Sequence, residues 1–263
     1  MDVPQDIVLT AVDDRGVATI TLNRPQKGNA YDRGMLARLA TIIAELSAAA
    51  DIRAIVFRGA GKHFCVGGDL DDPFVHTIAE EGRPQVLMPH LCLAIDACPK
   101  PTVALVHGAC FGGGFAIASV CDVWLASEDS FYALPELRLG FGVGPYIPFF
   151  ARAMGARQLR RYLVTAERFT GRDALAMGVA HTLYAPGEGD AALEAVLAEL
   201  LQSAPGATAE TKRELSAIAD LTPSRARIDE LQQSFHALYH TAEGAEGRAA
   251  FHDKRRPAWA PKD

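Results

Sequence analysis

Apolar and polar residues alternate along the first part of this chain and then change to a longer period. Ile7 to Val12 and Val17 to Leu22 follow the two-residue period of half-covered strands, and Asp13-Asp14-Arg15-Gly16 supplies turn chemistry between them. The pattern predicts a β-hairpin, ended by Asn23-Arg24-Pro25. From Asp32, a residue suited to cap a helix, Met35, Leu36, Leu39, Ile42, Ile43 and Leu46 recur at helical spacing. Ala54 to Phe57 reads as a short strand, followed by Gly59-Ala60-Gly61-Lys62 and a second glycine turn from Phe64 to Leu70. Residues 71 to 83 are polar and irregular. A helical pattern through Val86, Leu87, Leu91, Leu93 and Ile95 then reaches Cys98, where Pro99-Lys100-Pro101 stops it.

The apolar strand Thr102 to Val106 enters a turn, His107 to Ile117, from which an apolar helix leaves. Strand patterns at Asp122 to Ala126 and Phe131 to Glu136 follow, then the run Gly140-Phe141-Gly142-Val143-Gly144-Pro145. Helical patterns occupy 146 to 163 and 172 to 177. Strands interleaved with helices at this spacing predict an α/β fold whose sheet is largely parallel and built from right-handed crossovers. Beyond Pro186-Gly187-Glu188-Gly189 no strand is expected, and residues 190 to 203, 207 to 219 and 224 to 240 read as helices. Three short helices bury little alone, so they are expected to pack on the core or on a neighbouring subunit.

The turn at 107 to 117 carries the strongest chemical signal. Each interior helical glycine costs about 1 kcal/mol relative to alanine, so Gly112-Gly113-Gly114 at a helix start implies close approach to the backbone. The first N–H groups of a helix lack intrahelical partners and lie at the positive end of its dipole, ready for an anion or for a carbonyl oxygen becoming one. A phosphate-binding P-loop is excluded because Phe115-Ala116 stands where Lys-Ser/Thr would follow, and the dinucleotide fingerprint requires spaced glycines. Close helix-to-strand packing is the alternative use of such glycines. Two glycine turns, each following a strand, can aim two N–H groups at one oxygen, the geometry of an oxyanion hole.

Composition narrows the class. The chain has 263 residues, 49% of them hydrophobic and 22% charged, as in ordinary globular proteins, and its net charge of −6 argues against nucleic acid as a partner. The five cysteines form no Cys-x-x-Cys pair, there is no apolar leader, and no apolar run is long enough to span a membrane, so a cytoplasmic protein is expected. Neither a Gly-x-Ser-x-Gly elbow nor a metal-spaced cluster is present.

These residues together resemble the crotonase superfamily, the enoyl-CoA hydratases and isomerases. The likeness runs from Ile7 to about Trp259 and is carried by Leu22-Asn23-Arg24-Pro25 with Asn29-Ala30, Phe64 to Leu70, Lys100-Pro101, Gly108 to Gly114 with Cys121-Asp122, Pro135-Glu136, and a closing Glu246-Gly247, Ala250-Phe251, Lys254-Arg255 and Pro257. Order and spacing make these singly weak motifs specific. The resemblance implies a spiral of β-β-α units over residues 1–189, with a C-terminal helical trimerisation region over 190–263. It also implies a coenzyme A thioester substrate, no separate cofactor or metal, and a homotrimer or homohexamer. It assigns the oxyanion donors to Gly68 and Gly113, where the lack of a Cβ would let the oxygen approach, and the catalytic acid/base to Glu136. Substrate contacts fall on Arg24, Lys27, Ala30, Val66, Gly67, Asp69 and Leu70, and the basic tail Lys254-Arg255-Arg256 is either a solvated charge run or a contact for a ligand phosphate.

The chain also departs from the family pattern. Hydratases of the family carry a first glutamate two residues after the glycine block, and here that position is Ala116. A single carboxylate resembles the family's Δ3,Δ2-enoyl-CoA isomerases and some divergent hydratases, and a non-catalytic acyl-CoA binding or scaffold protein is the alternative. Gly144-Pro145-Tyr146 stands where many members have Pro-Gly-x-Gly-Gly. Asp69 is expected to cap the segment after it rather than to react, and Asp122 to be structural. His63, His90 and His107 flank the turns without a catalytic assignment, His107 being the first to test.

Overall fold

The computed structural model describes residues 7–72, 87–140, 142–217 and 237–261. β1 (Val8–Val12) and β2 (Val17–Leu22) form the expected antiparallel hairpin. Helix α1 (Arg33–Ala48) follows, with the Asp32 carboxylate accepting from the Met35 N–H and with Met35, Leu36, Leu39, Ile42, Ile43 and Leu46 all buried, as their spacing predicts. β3 (Ala54–Gly59), α2 (Met88–Asp96), β4 (Thr102–Val106), β5 (Ala109–Phe111), α3 (Gly113–Ser119), β6 (Val123–Ser127) and β7 (Phe131–Ala133) come next. α4 (Ile147–Thr165), β8 (Phe169–Thr170), α5 (Gly171–Ala176), β9 (Thr182–Tyr184), α6 (Gly189–Leu200) and α7 (Pro205–Ala217) continue the chain, and a further helix spans Ala242–His252.

The large sheet has the order β1-β2-β3-β4-β6-β9, parallel from β2 onward. β4 is buried at all five positions, as suits an interior parallel strand covered on both faces. A smaller sheet, β5-β7-β8, lies after the first, and isolated bridges Cys65–Cys110 and Tyr31–Gly68 extend the same pairing to the earlier turns. Each unit thus runs from a strand of the large sheet to a short pairing in the small one and then to a helix, giving a spiral of β-β-α units.

Several short elements depart from the sequence pattern. β5, β8 and β9 have two or three residues each, too few for an alternation to show. The helix expected over 146 to 163 is two helices joined at Gly155, whose φ of 73° breaks the turn while the apolar period runs on across it. α5 starts at a capping box made by Thr170 and Asp173. The helix expected over 224 to 240 lies largely outside the described residues.

One main cluster joins α1, α2, α3 and α4 to one face of the sheet, and a second covers the other face through Leu193, Leu197 and Leu201 of the α6 region against Val56, Val103 and Leu125. The first helix after residue 189 therefore packs on the core. Phe115, directly after the glycine block, anchors α3, with edge-on contacts to Trp124 and Phe150 at 5.2 Å each. Asp122 ties three elements: its Oδ2 accepts from the Thr102 N–H at 2.7 Å and the Thr102 hydroxyl at 2.8 Å, and it pairs with Lys212 of α7. We expect Asp122→Ala to lower stability by about 2 kcal/mol, measured as a shifted urea midpoint at unchanged slope, because Thr102 and Lys212 lose their shared acceptor.

Candidate functional site

The first glycine turn is held from three sides. Asn29, wholly buried with φ 59°, donates through Nδ2 to the carbonyls of Ala60 at 2.8 Å and His63 at 2.7 Å, while its Oδ1 accepts from the Arg24 N–H at 2.8 Å. The Phe111 N–H donates to the Cys65 carbonyl at 2.9 Å, joining this turn to the second. Tyr31 then straddles Gly68: its N–H donates to the Gly67 carbonyl at 2.9 Å and its carbonyl accepts from the Asp69 N–H at 2.8 Å. Among the described residues, the Gly68 N–H between those two bonds has no acceptor, and neither does the N–H of Gly113 at the start of α3.

The glycine block serves three separate contacts. A Cβ at Gly112, which has φ 49°, would overlap the Glu136 carboxylate. One at Gly113 would fall 2.7 Å from Cζ of the Tyr31 ring, and one at Gly114 would fall 2.7 Å from Cβ of Cys65. The space that a Cβ of Gly113 would take is thus the space that Tyr31 occupies, and Gly114 allows the second turn to approach the first. A side chain in place of any of the three would push the assembly apart.

Both turns open onto a cavity of about 400 Å3, walled by Tyr31, Val66, Gly67, Gly68, Gly113, Glu136 and Tyr146 among others. Glu136 opens a short 3-10 turn, Glu136–Leu139, directly after Pro135. Its Oε2 is buried and has no hydrogen-bond partner among the described residues, and burial raises its pKa above the ordinary carboxylate value. A carboxylate so placed moves toward the range in which it both accepts and releases a proton. Tyr146 ends a second 3-10 turn, Gly144–Tyr146. Burial pushes its phenol up to about 12 and raises that of Tyr31 well above its usual value, with each hydroxyl also feeling the other.

The residues assigned from the resemblance separate into two groups. Val66, Gly67, Gly68, Leu70, Gly113 and Glu136 line the cavity together. Arg24, Lys27, Ala30 and Asp69 are not among its walls. Arg24 donates to the Ala30 carbonyl at 2.6 Å and to Asp69 Oδ2 at 2.8 Å, and Lys27 reaches the same oxygen at 2.9 Å. Burial opposes ionisation of Asp69, but hydrogen bonds from Lys27 and Arg24 hold its carboxyl below the usual range. Its Oδ1 accepts from the Asp71 N–H at 3.2 Å, the capping contact expected of it. Ala116 is fully buried in the core and does not line the cavity. His63 Nδ1 accepts from the Ala109 N–H at 3.1 Å and His107 Nε2 lies 2.9 Å from the Gly61 carbonyl, so both histidines brace the turns. In the tail, Arg255 pairs with Glu246 at 2.6 Å. Tyr31 carries no strand or helix period of its own, and the only hint of it in the sequence is its place directly after Asn29-Ala30.

Known proteins resemble this chain in sequence and in fold. A profile of the family described as enoyl-CoA hydratase/isomerase matches residues 13–262. The chain is 37% identical to Pseudomonas aeruginosa AtuE, whose solved structure superposes with a TM-score of 0.89 over 97% of this chain and 100% of that one. An enoyl-CoA hydratase from Shewanella pealeana superposes with a TM-score of 0.89 at 29% identity, covering 98% of this chain and 97% of that one. The Alternaria alternata enoyl-CoA hydratase ACTT6 is 35% identical over 201 residues, 75% of this chain, and the match spans 65% of that relative's length.

The contact between Tyr31 and Gly113 has a measurable consequence. We expect Gly113→Ala to cost about 1 to 3 kcal/mol of stability, typical of overpacking, and the cost to fall by more than half in a Tyr31→Ala background. A double-mutant cycle on urea midpoints checks this; additive costs would show that ring and glycine are independent.

Proposed function

Since the chain belongs to the enoyl-CoA hydratase/isomerase family, we propose that it binds an acyl-CoA thioester in the cavity and transforms the acyl group through an enolate, with Glu136 as its single acid/base. The observation that carries this is Glu136 itself: a buried carboxylate oxygen without a partner, on the wall of the cavity that also holds two unpaired backbone N–H groups. Leaving a buried polar group unsatisfied costs about 1 to 3 kcal/mol, which a binding or scaffold protein has no reason to retain.

The thioester oxygen sits between the N–H groups of Gly68 and Gly113. As the enolate forms, negative charge grows on that oxygen, and donors aimed at it stabilise the transition state more than the ground state. Removal of one such donor typically costs about 3 to 4 kcal/mol of barrier. Val66 and Leu70 offer the acyl chain an apolar wall. Glu136 takes a proton at one position and returns it at another, which suffices for isomerisation of a 3-enoyl to a 2-enoyl thioester.

We expect Glu136→Gln to lower turnover of 2-enoyl- and 3-enoyl-CoA at least about a hundredfold while the affinity for a saturated acyl-CoA stays unchanged. Retained turnover in this variant would place the acid/base elsewhere. Because the proton acceptor is the ionised form, and burial raises its pKa, kcat/KM is expected to rise with pH through an inflection above the usual carboxylate value. A pH profile of the parent without that acid limb would count against Glu136.

We also propose a homotrimer or a dimer of trimers. Large apolar side chains stand exposed on the helical surface, with Val164 at 70%, Leu215 at 62% and Phe251 at 82% exposure, and burial against a neighbouring copy would remove them from water. Sedimentation equilibrium is expected to return three or six chains per particle, and a monomer at micromolar concentration would refute the assembly.

A further inference from the structure

With Ala116 buried in the core, the cavity wall has no second glutamate from α3, but it does have two phenols. Tyr31 and Tyr146 line the same cavity as Gly68, Gly113 and Glu136. Neither ring is free to turn away. Tyr31 is fixed through its backbone to Gly67 and Asp69 and through its ring to the bare Cα of Gly113. The Tyr146 ring stacks on Phe150 of α4, with centroids 5.7 Å apart and planes 12° from parallel. Both phenols share this wall with the Glu136 carboxylate, and burial first, then that nearby carboxylate, raises their pKa values. Burial keeps both protonated through the neutral range, so they donate hydrogen bonds and do not act as bases.

Resting on the assignment of Glu136 above, we propose that this phenol pair gives the protein a hydration activity with one carboxylate: Tyr146 holds the reacting water together with Glu136, and Tyr31 orients Tyr146. The chain of donors runs from the Tyr31 hydroxyl to the Tyr146 oxygen and from the Tyr146 hydroxyl to one lone pair of the water. Glu136 accepts one water proton, which leaves the second lone pair to attack. The water oxygen bonds to Cβ of a 2-enoyl thioester as its proton passes to Glu136, and the electron pair of the double bond moves into the thioester enolate between Gly68 and Gly113. Glu136 then returns the proton to Cα, giving the 3-hydroxyacyl thioester. Both phenols end as they began, and water is the only co-reactant. Linked hydrogen bonds polarise one another, so the pair acts as a unit.

Isomerisation of a 3-enoyl thioester requires no water, so the two reactions separate the phenols from Glu136. The test measures hydration of a 2-enoyl-CoA and isomerisation of the 3-enoyl-CoA of the same length by the full chain and by Tyr146→Phe and Tyr31→Phe, with melting temperatures alongside. We expect either substitution to lower the ratio of hydration to isomerisation at least tenfold, with KM within threefold of the parent. Where the parent does not isomerise, a tenfold fall in hydration kcat at unchanged KM and melting temperature supports the pair equally. A parent without hydration activity, an equal fall of both reactions, or no change would overturn it. If Tyr31→Phe fails to fold, Tyr146→Phe decides alone, since its ring is only half-buried. Glu136→Gln run in parallel keeps the two proposals distinct: loss of both reactions there, with an unmoved ratio in the tyrosine variants, refutes the phenol pair and leaves the role of Glu136 standing.

Discussion

Tyr31 connects the two glycine turns by two different kinds of contact. Its backbone pairs with the first turn on either side of Gly68, and its ring fills the place where Gly113 of the second turn lacks a Cβ. Directional hydrogen bonds set one donor and close packing sets the other, so Tyr31, with the bond from the Phe111 N–H to the Cys65 carbonyl, fixes the distance between the two N–H groups. The spiral makes this possible. Successive units place their short pairings side by side in the small sheet, and residues 31, 68 and 113 meet although they belong to three different turns of the chain.

Charges are used in two opposite ways around this centre. Asp69 receives Arg24 and Lys27, and Asp122 receives Thr102 and Lys212, so each carboxylate is satisfied and each joins segments far apart in the chain. Neither is left to react. Glu136 is placed beside Gly112 with its Oε2 buried and, among the described residues, unpartnered, and its proton affinity rises through burial. The contrast separates braces from a reactive group without appeal to residue type, since all three are carboxylates.

Much of the framework was legible along the chain. The hairpin, α1 with its Asp32 cap, the interior strand β4 and the glycine block before α3 all follow from periodicity and from the backbone demands of glycine, which are local properties. The family resemblance rested on the same local motifs. What the pattern misplaced were the shortest strands and the break at Gly155: three residues cannot display a period, and an apolar stripe continues across a kink when both halves face the same core.

The chain by itself therefore determined which of the longer segments are strands or helices, where backbone must come close to backbone, and that one carboxylate stands in a Pro-Glu pair while alanine takes the other position. Only the tertiary structure decided what each of those residues faces. Arg24 and Lys27, which read as contacts for a substrate, both pair with Asp69; Gly113 makes room for Tyr31; and Tyr146, visible in the sequence only as an unusual loop residue, comes to lie on the cavity wall with Glu136. Periodicity records only whether a side chain is covered. Its partner is set by the crossing of units distant in sequence, where packing and desolvation act between residues that no local spacing relates.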